Sequence, residues 1–272
     1  MVKKVYIVAG PTAGGKTGYA LKLAKKTGGE ILNADALQVY KDLRILTARP
    51  TVEEAATCPH HLYGVLDAYQ TADVAWWLGQ VVPLIKQIDV PILVGGTGMY
   101  LYALEHGLCT FPDIPEDVRK TVRSLSLEDV KRQVKDCRFS DPQRLKRALE
   151  VQLTTGRSIH QFQKENTKKY LTADFHKILI LPDRDVLYDR CAKRLDIMLK
   201  TGAIEEVKNL LTLHPTGGVL KAIGVTEITQ YLNGDLSLAQ AKAQILLATR
   251  HYAKRQITWF KNKLEPQEIL AP

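Results

Sequence analysis

Residues 10–17 read GPTAGGKT, a complete G-x-x-x-x-G-K-[ST] sequence set between the apolar run VYIVA (5–9) and a helical pattern from about Thr17 to Lys26. Such a loop works only where a buried strand ends and a helix begins, because its backbone N–H groups must close around phosphate oxygens at the positive end of that helix. Gly10, Pro11, Thr12, Ala13, Gly14, Gly15, Lys16 and Thr17 are therefore the expected phosphate-binding residues. Lys16 neutralises charge, and the Thr17 hydroxyl is the expected protein ligand of a Mg²⁺ ion.

A strand feeding a phosphate loop implies a parallel sheet, and the sequence supplies further short, apolar strands at GEILNAD (29–35), PILVGG (91–96) and HKILILP (176–182). Helical patterns separate them. The expected fold class is α/β, a P-loop-type parallel sheet flanked by helices, with the ligand at the carboxyl edge of the strands. Residues 111–170 break the alternation: after Pro112 and Pro115 they read as helices rich in Arg and Lys, with no convincing strand. This gives three expected segments: 1–110, the first part of the core; 111–170, a small all-helical insertion; and 171–272, the rest of the core with C-terminal helices. Leu187, Cys191, Leu195 and Met198 share one helical face, and a last long helix is expected from an N-cap at Ser237 to about Lys263.

Charge separates these segments. Residues 1–110 hold 10 Lys and Arg against 9 Asp and Glu, a balance of +1, whereas the remainder carries +8 of the chain's +9. A nearly neutral first part suits a small-molecule site, and a basic second part attracts a polyphosphate backbone. Cys58, Cys109, Cys137 and Cys191 lie apart without a C-x-x-C pair, which points to reduced thiols. The longest apolar run near the N-terminus is far short of the ~20 residues that span a bilayer. No membrane association and a cytoplasmic location are expected.

In a P-loop hydrolase an acid at the end of a second strand also holds the Mg²⁺, yet the best buried strand here ends in Gly95-Gly96-Thr97-Gly98. The strand-end carboxylate is instead Asp35, expected to face the phosphate loop and to serve as a general base. Together these residues describe group transfer from a phosphate-bearing donor to a polyanionic acceptor. An ATP-dependent small-molecule kinase, with the basic arm as a lid, is the alternative.

Several stretches taken together resemble one family, the tRNA dimethylallyltransferases (tRNA isopentenyltransferases): GPTAGGKT (10–17), NADALQVY (33–40), TARP (47–50), PHHLYGVLD (59–67), PILVGGTGMYLYAL (91–104), DPQRLKRALEV (141–151), AIG (222–224) and TRHYAKRQITWF (249–260). The resemblance implies transfer of a dimethylallyl group from dimethylallyl diphosphate to N6 of the adenosine 3′ to the anticodon, by a monomer that grips the anticodon stem-loop. It implies Asp35, Lys16 and Thr97 as catalytic residues and Lys221 as a basic residue facing the diphosphate. The tRNA would be contacted by Asp35, Ala36, Leu37, Gln38, Thr97, Arg119, Gln143, Arg144, Leu145, Lys146 and Arg147. Two departures stand out: the serine usual after the general base is Ala36 here, and the tyrosine usual after AIG is Val225.

Overall fold

The computed structural model describes residues 2–136 and 138–272, so Cys137 lies outside the described residues. In chain order, β1 (Lys4–Ala9) runs through the phosphate loop into α1 (Lys16–Thr27), followed by β2 (Glu30–Asn33), α2 (Val52–Ala55), β3 (His60–His61), α3 (Val74–Gln87), β4 (Pro91–Gly95) and α4 (Gly98–His106). Next come β5 (Leu108–Cys109), α5 (Glu116–Ser124), α6 (Leu127–Gln133), α7 (Pro142–Thr155), α8 (Ile159–Asn166) and β6 (Thr167–Lys168). They are followed by β7 (Asp174–Ile180), α9 (Arg184–Lys200), α10 (Ala203–Thr212), α11 (Val225–Leu232), α12 (Leu238–Lys263) and β8 (Glu268–Leu270).

Six strands form one parallel sheet in the order β3-β2-β4-β1-β7-β8. The β-branched and apolar side chains of β1 and β4 are buried on both faces, as a parallel sheet covered by helices requires. One face packs Val8, Ile31, Ile92 and Ile178 against Ala20 and Ala24 of α1. A second core joins Val39, Tyr40 and Leu43 to the apolar stripes of α9 to α12, including Leu195, Met198, Val207, Ile228 and Ile245. Ser237 caps α12 through a reciprocal pair with Gln240, so this 26-residue helix begins where its sequence signature places it.

Chain contacts divide the described residues into two units: those up to Glu105 together with Leu171–Pro272, and His106–Tyr170. The second unit holds α5 to α8 around two small apolar clusters, one built on Val122, Val130, Leu145 and Leu149 and the other on Ile114, Ala148, Val151 and Ile159. It is not wholly helical, because Leu108–Cys109 and Thr167–Lys168 pair antiparallel. Strands this short carry no readable alternation. The same holds for β3 and β8, the sheet's two edge strands, which sequence patterning did not reveal.

Candidate active site

The order of the sheet brings three loops side by side. β1 ends in the phosphate loop, β4 beside it ends in Gly95-Gly96-Thr97, and β2 beyond β4 ends in Ala34-Asp35. Two strand spacings, about 10 Å, separate the backbones of the first and third. Within the phosphate loop Gly15 takes the left-handed conformation (φ 95°) and starts α1. Lys16 folds back so that Nζ donates to the Pro11 carbonyl at 2.8 Å. Burial strips water from this ammonium and pulls its pKa down from 10.5 to about 8, with Asp35 opposing the fall and Arg194 adding to it.

Asp35 is held by its own neighbours. Fully buried Asn33 accepts from the Asp35 N–H at 2.8 Å and donates to the carbonyls of Asp35 and Leu62, each at 3.0 Å. Trp77, stacked on Tyr100, anchors the Asn33 carbonyl. One carboxylate oxygen of Asp35 then accepts from Leu37 N–H at 2.9 Å. Thr97 reaches across from β4, its hydroxyl accepting from Ala36 N–H at 3.0 Å. Gln38 turns its amide away to donate to the Thr47 and Ala48 carbonyls, which ties down the TARP turn.

Thr12 to Thr17 form one wall of a cavity whose other walls include Asp35, Gln38, Arg49, Tyr63 and Arg194. Thr12, Asp35 and Arg194 also face a second cavity of about 70 Å³, lined largely by apolar side chains such as Leu37, Leu46, Leu195 and Met198. The expected diphosphate residue Lys221 is not part of either wall. It sits exposed on a 3-10 turn (Gly218–Lys221), while its neighbours Ala222 and Ile223 turn inward to line the second cavity. A basic group that does bond to the loop is Arg194 of α9, whose Nη2 donates to the Thr12 hydroxyl at 2.6 Å. Burial lowers its pKa too, against the pull of Cys191 and Asp35. Two desolvated cations converging on one loop favour a multiply charged anion.

Three further residues shape the site. Gln256 of α12, buried, accepts from Thr12 N–H at 2.8 Å and donates to the Gly96 carbonyl at 2.9 Å, bridging the phosphate loop to the β4 loop. This close approach explains the glycines: a Cβ at Gly96 would meet Gln256, and one at Gly98 would meet the Trp259 ring. Tyr252, one turn earlier, lines the second cavity, and burial followed by Asp35 raises its pKa. Glu206 of α10 accepts from three successive backbone N–H groups, those of Arg44, Ile45 and Leu46, and so fixes the turn that carries Leu46 and Thr47. Arg194 and Gln256 share a legible signal, a long polar side chain at the spacing of an otherwise apolar helical stripe.

In the helical unit, Asp141 caps α7 and Gln143, Arg144, Lys146 and Arg147 line an open groove with Arg123. Arg144 lies over the Phe139 ring and Arg147 over Phe111, while Lys146 donates to the Arg123 carbonyl. Leu145 corrects the sequence expectation. It is 3% exposed and belongs to the Val122–Val130–Leu149 core, since the face of α7 that presents its neighbours to solvent turns this side chain inward. Arg119 is half-buried on α5, with Nε unpartnered. Among the described residues, no group of three or more His, Cys, Asp or Glu side chains is placed to hold a metal, and no helix is long and apolar enough to cross a membrane.

Residues 38–263 match the family model described as IPP transferase, and residues 3–63 the one described as isopentenyl transferase. The chain is 42% identical to a tRNA dimethylallyltransferase of Rhizobium etli, with 100% of this chain and 98% of that one covered. Its fold is similar to that of a eukaryotic dimethylallyltransferase acting on tRNA (TM-score 0.82, 28% identity, 95% of this chain and 70% of that one). It is also similar to the full-length tRNA isopentenylpyrophosphate transferase of Bacillus halodurans (TM-score 0.74, 33% identity, 98% and 89%).

Proposed function

The chain belongs to the IPP transferase family, and we propose that it transfers a dimethylallyl group from dimethylallyl diphosphate to N6 of the adenosine 3′ to the tRNA anticodon, releasing diphosphate. The observation that carries this reading is the pair of cavities that share Thr12, Asp35 and Arg194. One runs along the phosphate loop, and the other offers apolar walls to the alkyl group attached to that phosphate. The kinase alternative is not favoured: β4 ends in glycines where a nucleotide hydrolase places its metal-binding acid.

In this reading Lys16, Arg194 and the backbone amides of residues 12–17 hold the diphosphate. They stabilise the charge that grows on it as the bond between C1 of the donor and the diphosphate oxygen breaks. The adenine N6 lone pair forms the new bond to C1, and the proton it releases passes to Asp35. A stacked base cannot offer N6 to a buried carbon, so the adenosine must swing out of the anticodon loop. Thr97 fixes the backbone at Ala36 and thereby the aim of Asp35. The serine hydroxyl usual at this position is not needed for that backbone bond.

Mg²⁺ fits the residues present. Thr17 opens α1 beside Lys16, and a Mg²⁺ ion takes few protein ligands when substrate phosphates supply the rest. Bound there, the ion would offset charge on the leaving diphosphate. Arg144, Lys146 and Arg147, with Gln143, form the basic face for the anticodon stem-loop, and Arg119 supports it from α5. A tRNA acceptor supports action in the cytoplasm. Purified protein with Mg²⁺, unmodified tRNA and labelled dimethylallyl diphosphate should label the adenosine beside the anticodon. Labelling of a small acceptor from γ-phosphate-labelled ATP, with none on tRNA, would instead establish the kinase.

A further inference from the structure

We propose that Gln256 is a positioning residue that fixes the separation between Lys16 and Asp35, from the middle of a head-to-tail row of amides that joins them. The inference rests on the transferase reading and assigns the link between its phosphate loop and its general base. Lys16 Nζ donates to the Pro11 carbonyl at 2.8 Å, and the N–H of the same peptide group, that of Thr12, donates to Gln256 Oε1 at 2.8 Å. Gln256 Nε2 donates in turn to the Gly96 carbonyl at 2.9 Å. The N–H of that peptide group belongs to Thr97 and donates to the Ala34 carbonyl at 3.2 Å. Across the next peptide group, the Asp35 N–H donates to Asn33 Oδ1 at 2.8 Å.

Every bond in the row runs the same way, away from the Lys16 ammonium. Peptide groups are planar, so each passes on position as well as polarity from its oxygen to its N–H, and head-to-tail hydrogen bonds strengthen one another. At the place of Gln256 the row needs an acceptor facing Thr12 and a donor facing Gly96. A primary amide supplies both; an ionised carboxylate or a hydrocarbon does not. The link has little slack, because a Cβ at Gly96 would lie 2.1 Å from Gln256 Nε2. Buried Ala253 and Phe260, on the same face of α12 as Gln256, seat the helix, and the Trp259 ring closes over Gly98. Two loops carried by different strands are thereby held at one spacing, and a misplacement of about 1 Å between reacting groups costs roughly 10²-fold in rate.

The test uses the full chain: single-turnover transfer from dimethylallyl diphosphate to tRNA with both saturating, and separate titrations with inorganic diphosphate and with tRNA. Gln256→Met, which keeps the length of the side chain and removes both bonds, should lower the rate about 10²-fold and leave both Kd values unchanged. Gln256→Glu should show a similar loss in alkaline solution and recover as pH falls, because the protonated carboxyl again accepts with one oxygen and donates from the other. The ratio of this variant to the parent at each pH cancels the titrations of Lys16 and Asp35, and it remains readable if the Met variant does not fold. A folded Met variant, verified by thermal melting, that keeps the parent rate or loses only affinity would overturn the role of Gln256 and leave the transferase reading in place. A Glu-to-parent ratio that does not change with pH would do the same. Absence of transfer by the parent protein would overturn the transferase reading itself.

Discussion

The two units handle charge in opposite ways. Around the sheet's carboxyl edge, polar side chains are buried or half-buried and satisfied by backbone groups: buried Asn33 at Asp35, buried Gln256 between two loops, half-buried Glu206 under three amides. In the helical unit they are paired on the surface, as in Arg132–Asp129 and Arg157–Glu165. Exposed pairs contribute little to stability, typically about 0–1 kcal/mol, and are screened by salt. The first arrangement ties the loops of the candidate site together, and the second leaves a charged surface whose pairs are sensitive to ionic strength.

The contrast predicts which variants act on turnover and which on affinity. The largest effect belongs to the edge of the sheet: Asp35→Ala should lower single-turnover transfer by about 10²–10⁴ while tRNA binding stays intact. Normal turnover in this variant would remove Asp35 from the chemistry. The double variant Arg144→Ala/Arg147→Ala should do the reverse, weakening tRNA binding but leaving the rate at saturating tRNA close to that of the parent. Loss of two phosphate contacts should flatten the plot of log affinity against log salt by about 1.4–1.8. An unchanged slope would place the α7 groove outside the tRNA footprint.

The smallest effect is a pH dependence confined to the sheet unit. In the proposed donor site Lys16 attracts diphosphate as the ammonium and not as the neutral amine, and in the free protein it loses that proton as pH rises through about 8. Donor affinity should therefore be full below pH 8 and fall by about tenfold per unit above it. The tRNA affinity of the helical face should not follow this titration. Lys16→Arg, whose guanidinium stays charged throughout, should abolish the alkaline loss; a loss that persists would assign it to another group.

Much of this was legible in the sequence because the signals are local. The four apolar runs, the phosphate loop and the cap at Ser237 each declare themselves within a few residues. What escaped was set by tertiary contact. Lys221 has the right charge in the right stretch, yet the 3-10 turn points it outward, and Arg194 on a distant helix takes the place beside Thr12. Leu145 lies inside a basic segment but on the inward face of its helix. Polar residues within apolar stripes were the readable clue to Arg194 and Gln256. Lys177 carries the same signature in β7, and its charge is satisfied by Glu105 at 2.7 Å. The clue marks a buried polar group, and only its partners tell structure from chemistry.

Gln256 completes the phosphate loop from 244 residues downstream of Thr12. At about 5–20 residues per second of synthesis, the loop emerges from the ribosome on the order of 10–50 s before the amide that fastens it. β1 waits in the same way for β4 and β7, its neighbours on either side. Contacts this distant in sequence make for slow, late assembly. A nascent chain therefore displays the GPTAGGKT loop long before it can be fastened, and the bridge from Gln256 to Thr12 and Gly96 reports on the arrival of α12.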